Sequence, residues 1–281
     1  MFLSSNRKRI SRTNKLMYLV LKFIRQKINL KMLNFIIYFM NKKYVLVVDS
    51  GVGGLWTLKE IKRILPNENY VYFMDVLNAP YGNKSKAKLL KITDINFKKL
   101  FRIFDIKAVV LACNTLSSAC YEYLQQKYYN IPFIKIEPYF EPQLFIGEPT
   151  LLLATKSTLK NNKKILEYKS SKNFYFKGFG NIAKKIDDCN GQYDLLGFYL
   201  YKKLKKFKKK NIKNIILGCT HFNYIKNQIS CVFDFNVEFF ENSGKVANQL
   251  FNVLKYSGKK SKCKKTGETI IVKKFKNDKK I

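Results

Sequence analysis

Two segments of this chain deliver a cysteine off the end of an apolar run: Val109-Val110-Leu111-Ala112-Cys113-Asn114-Thr115 and Ile215-Ile216-Leu217-Gly218-Cys219-Thr220-His221. A lone cysteine in such a place usually fills a core as a small hydrophobe. A pair can do more. Inverting a stereocentre by proton transfer needs a base on one face of a carbon and an acid on the other, because the intermediate is close to planar, and two thiols facing one cavity meet that symmetry. A free thiol is ionised only to a few per cent near neutrality, so the working thiolate needs the positive end of a helix or a neighbouring base. Asp49 and His221, the chain's one histidine, are the neighbours nominated for that help.

The elements that must hold these residues alternate. Tyr44 to Val48 is a β-branched run ending in Asp49-Ser50-Gly51-Val52-Gly53-Gly54, as a buried strand runs into a turn, and Leu55 to Leu65 then carries apolar residues at helical spacing until Pro66-Asn67. Tyr70 to Met74 predicts a second strand, Asp75 to Gly82 a loop, Lys84 to Phe104 a helix and Ala108 to Ala112 a third strand. The second half repeats the pattern, with strands at Leu151-Leu152-Leu153, Phe174-Tyr175-Phe176 and Ile215-Ile216-Leu217. Cys113 follows Asp49 by 64 residues and Cys219 follows Thr155 by 64, which points to an internal duplication. The fold class expected is α/β: two similar lobes with parallel sheets, related by pseudo-twofold symmetry, with the active site in the cleft between them. Residues 40–137 plus 246–281 are assigned to the first lobe and 138–245 to the second.

Composition bounds the partners. The formal charge is +35, but only six of the 54 basic residues are Arg, the better residue for bidentate phosphate recognition. The Lys excess is therefore read as solvated faces, with no specific nucleic acid expected. Six cysteines without a C-x-x-C pair and a single His argue against a zinc site; no metal is expected, the thiols are read as reduced and the protein as cytoplasmic. Residues 1–39 are basic, and no Asp or Glu precedes Asp49. Their apolar stretches fall short of the ~20 residues of a membrane span, no cleavage site follows, and they are read as an ill-ordered extension.

Taken in order, Asp49-Ser50-Gly51-Val52-Gly53-Gly54-Leu55, Pro80-Tyr81-Gly82, Ala112-Cys113-Asn114-Thr115 and Leu217-Gly218-Cys219-Thr220-His221 resemble the four signature blocks of glutamate racemases, from about Tyr44 to Leu250. The resemblance implies that Cys113 and Cys219 are the two acid/base catalysts, one for each enantiomer. It also implies that Asp49, Ser50, Tyr81, Gly82, Asn114, Thr115, Thr220 and His221 line the substrate. The reaction implied is interconversion of L- and D-glutamate without pyridoxal phosphate or metal, the D-isomer supplying peptidoglycan. Independently, no Walker-type phosphate loop is present.

Two departures stand out. The family places a Glu near the second thiol where this chain offers Asp187, and Asn242 replaces the usual acid before Ser243-Gly244. The tail after Gly258 is short and Lys-rich. Relatives differ in oligomeric state and in regulation by a cell-wall precursor, so a homodimer and such regulation are both open. So are two competing functions: a two-cysteine racemase acting on aspartate or a hydantoin, and a basic nucleic-acid-binding protein that retains the racemase fold.

Overall fold

The computed structural model describes residues 42–141, 147–168 and 171–273; the basic extension expected over 1–39 lies outside the described residues. The first half runs β1 (Lys43–Asp49), α1 (Gly54–Ile64), β2 (Asn69–Met74), α2 (Lys86–Ile103), β3 (Asp105–Leu111), α3 (Asn114–Lys127) and β4 (Phe133–Lys135). The second runs β5 (Thr150–Thr155), α4 (Lys156–Asn161), α5 (Lys163–Glu167), β6 (Phe174–Phe179), α6 (Ile182–Asp188), α7 (Gly197–Leu204), β7 (Asn214–Gly218), α8 (Lys226–Val232) and β8 (Glu238–Phe240), followed by α9 (Ser243–Tyr256) and β9 (Thr269–Lys273).

The strands form two sheets, in the orders β4-β3-β1-β2-β9 and β8-β7-β5-β6. The registered pairs are parallel. Without β9 the first order reads 4-3-1-2, and the second is the same order advanced by four. Each sheet therefore reverses its winding between its first and third strands. Crevices for ligands open at such switch points, beyond the carboxyl ends of the strands. In the first sheet that point is flanked by Asp49 and Cys113, and in the second by Thr155 and Cys219. The matched spacing read from the sequence corresponds to this repeated order.

The central strands are buried on both faces, as parallel strands covered by helices must be: Tyr44 to Asp49, Ile106 to Leu111 and all of β5 and β7 are inside. On the first sheet Val45, Val47, Tyr72 and Val110 pack with Leu58 and Ile61 of α1 and with Val246, Leu250 and Leu254 of α9. On the second, Leu151, Leu153, Ile215 and Leu217 pack with Leu200 and Leu204 of α7 and Ile229 of α8. Caps set several helix starts. The Ser85 hydroxyl accepts the Lys88 N–H at 3.3 Å, so α2 begins at Lys86 and not at Lys84, and Thr155 caps α4 through the Thr158 N–H at 3.1 Å.

The carboxy-terminal tail, read in the sequence as short and Lys-rich, contains a strand that was not expected there. Residues 269–273 add a fifth strand to the first sheet alongside β2. The stretch leading to it is tied down by the Ser261 N–H on Glu68 Oε1 at 2.6 Å and the Gly267 N–H on the Pro66 carbonyl at 2.8 Å. Glu68 is itself buried and ion-paired with buried Lys107. Among the described residues no helix is long and apolar enough to cross a membrane.

Candidate active site

Cys113 follows β3 as the capping residue of α3. Its sulfur is buried, 4.0 Å from the Ser50 hydroxyl, with the backbone N–H groups of Thr115 and Leu116 turned toward it. Burial, then the Asp49 carboxylate and the Cys219 sulfur, push the thiol well above its ordinary range, against the pull of those N–H groups. The two sulfurs thus lie within electrostatic reach of each other, although they leave different sheets.

Cys219 leaves β7 in the same way and is as buried as Cys113. Its sulfur lies 3.8 Å from Nδ1 of His221, which the turn Thr220–Ile225 folds back under it. On the far side of the ring, His221 Nε2 sits 3.2 Å from Asp187 Oδ1 at the end of α6. This is an ion-pair contact, since the ring N–H is not aimed at the oxygen and neither atom has a hydrogen-bond partner. Burial alone would pull the imidazole pKa down. Asp187, the Cys219 sulfur and Asp49 outweigh it, so the His221 pKa is raised well above its usual value.

Asp49 joins the two halves. Fully buried at the end of β1, its carboxylate accepts the Gly51 N–H at 2.7 Å and the Thr220 hydroxyl of the second lobe at 3.2 Å. Burial raises its pKa to about 6, opposed by His221, the Gly51 N–H and Thr220. The glycines of this turn have a use the sequence did not reveal. A Cβ on Gly51 would meet Asp187 Oδ2 at 2.6 Å and His221 Nε2 at 2.9 Å, and one on Gly53 would meet Thr220 Oγ1 at 2.6 Å. Here the missing side chain admits the second lobe's His221 and Thr220.

No protein-family model matches the chain. The chain is similar to the glutamate racemase of Clostridium novyi, 37% identical over 187 residues, 65% of this chain and 72% of that protein. It is also similar to glutamate racemase 2 of Bacillus subtilis, 34% identical over 228 residues, 73% of this chain and 80% of that one. This chain belongs to the glutamate racemase family. Among solved structures, the glutamate racemase of Francisella tularensis in complex with D-glutamate matches with a TM-score of 0.69 at 27% identity, over 83% of this chain and 88% of that one.

The remaining residues of the glutamate racemase pattern divide into groups with free and with committed polar atoms. Asn114 heads α3, buried, and its Oδ1 has no partner. The Thr115 hydroxyl is held by Thr155 and Thr158 of the second lobe at 2.9 and 3.3 Å. Gly82 is pressed against Thr155, where a Cβ would come within 2.9 Å of the Thr155 Cβ. The Tyr81 hydroxyl points inward and donates to Asp75 Oδ2 at 2.6 Å. Asp75, absent from the sequence-based site, is a fully buried carboxylate that also accepts from Asn78 and Asn96. Its signal was its place just past the end of β2, one residue beyond the Met74 that pairs with Asp49 of β1. Asp187 reaches His221 and not the thiol. Asn242 donates to the Glu137 and Pro138 carbonyls, while the neighbouring Glu241 accepts the Ser243 N–H at 2.8 Å at the start of α9. Among the described residues no group of His, Cys, Asp and Glu is placed to hold a metal ion.

Proposed function

We propose that this glutamate racemase interconverts L- and D-glutamate by a two-thiol proton relay, Cys113 and Cys219 acting on opposite faces of the α-carbon. The observation that carries the reading is that two buried cysteines follow equivalent strands of the two sheets, and that Asp49 of the first lobe accepts the hydroxyl of Thr220, next to Cys219 in the second. His221, with Nδ1 3.8 Å from the Cys219 sulfur, is placed to put positive charge beside that sulfur when the ring is protonated. Cys113 is held as the protonated thiol by burial and by Asp49.

In one direction the Cys219 sulfur takes the α-proton, the C–H electron pair stays on carbon, and the Cys113 S–H delivers its proton to the opposite face. The reverse direction exchanges the roles. Every proton step is carried by the chain's own side chains. The N–H groups at the start of α3 and the Ser50 hydroxyl suit the substrate carboxylates, and the unpartnered Asn114 Oδ1 suits its ammonium.

D-glutamate for peptidoglycan, a cytoplasmic location, homodimerisation and a response to a cell-wall precursor belong to the same reading. So does the division into lobes at 40–137 plus 246–281 and 138–245. Deuterium incorporation at the α-carbon from D2O tests the substrate, with L-glutamate and L-aspartate in parallel. Faster exchange with glutamate is expected; preference for aspartate overturns the assignment.

A further inference from the structure

Beside the contact of Gly82 with Thr155, a cavity of about 530 Å³ opens between the lobes. Lys84, Ser85 and Lys86 line it from the first lobe, and Lys156, Lys160 and Asn161 from the second. Among the described residues no carboxylate lines it. Among the described residues, none of the four lysines stands within ion-pair distance of an Asp or Glu. Four unneutralised ammonium groups around one cavity repel each other. Lys84 is partly buried, and that burial, with Lys88 next along α2, pulls its pKa down against the opposing pull of Asp75.

The walls are built in advance of any ligand. Lys156 and Lys160 are one helical turn apart on α4 and share a face. The Lys84 ammonium is fixed on the Pro80 carbonyl at 3.0 Å, and the Ser157 hydroxyl donates to the Lys84 carbonyl at 3.4 Å across the lobes. The volume falls in the range of small-molecule sites, roughly 300–1,000 Å³. Glutamate, with one net negative charge, leaves most of four cations unmatched. A diphosphate or triphosphate group supplies several charges and many acceptor oxygens in a compact volume, which suits ammonium point charges.

We propose that this interlobe cavity is a binding site for a di- or triphosphate group, separate from the two thiols and independent of the racemase reading. The test is calorimetric titration of the full-length protein with inorganic pyrophosphate in one arm and ADP in another. One saturable site is expected. Removing two charge-assisted contacts should weaken it at least about tenfold in the Lys156→Ala/Lys160→Ala variant, and Lys84→Gln on the opposite wall should weaken it too. The exposed pair Lys209→Ala/Lys210→Ala should leave affinity unchanged. Tighter binding of ADP than of pyrophosphate identifies a nucleotide-borne phosphate as the ligand, and equal binding identifies the phosphates alone. Absence of saturable binding in both arms overturns the proposal. So does a control pair that weakens binding as much as the cavity pair, because the anion would then be spread over the general Lys surface.

Discussion

Asp49 is a carboxylate held in the folded protein at a cost, because burial raises its pKa from 3.8 to about 6. The folded chain binds this proton more tightly than the unfolded chain does. The group's contribution to stability is therefore fully present below about pH 4 and is lost as pH rises through about 6. Asp49→Asn keeps an acceptor for the Gly51 N–H and removes the ionisation. Relative to the parent, the variant should gain about 1 kcal/mol of stability between pH 5 and pH 8 in urea titrations. A difference that does not change with pH would contradict the buried-carboxylate reading. Asp49, Ser50, Cys113 and Cys219 were legible because each stands at or just past a strand end. Their partners were less so: Tyr81 is turned to Asp75, and Thr115 to Thr155, by contacts that only folding brings about.

Among the elements, the turn from β1 into α1 carries the tightest constraint. Gly53 has φ −56° and ψ −38°, which alanine adopts without strain. Gly53→Ala therefore tests crowding alone, as its Cβ would displace His221 and Thr220. Racemisation should fall by about a hundredfold with the melting temperature little changed, the signature of a misplaced catalytic group. The added strand β9 makes a different prediction. Ending the chain after Gly267 removes the ladder to β2, and should cost about 2–4 kcal/mol in denaturant titrations. Strands buried on both faces were readable as unbroken apolar runs. β4 and β8, three residues each, offer no period to read. In β9, Thr269-Ile270-Ile271-Val272 is β-branched but short and followed by lysines, which left it unread as a strand; charges beside an edge strand guard it against pairing with another chain.

For the whole molecule, the repeated strand order decides the chemistry. One α/β lobe presents its strand ends to one side of a ligand, and two such lobes present theirs to both sides. The duplication was visible in the sequence as two 64-residue intervals, each ending at a cysteine. The docking of the lobes was not, since it rests on pairs far apart in the chain, such as Thr220 on Asp49 and the Tyr224 hydroxyl on the Val52 carbonyl at 3.1 Å. The most direct measurement is racemisation of L-glutamate, followed by circular dichroism, for Cys113→Ala and Cys219→Ala beside the parent protein. Each variant should lose about a thousandfold in rate, the loss typical of an absent general acid or base. Either one racemising at the parent rate would contradict a mechanism in which both sulfurs carry the proton.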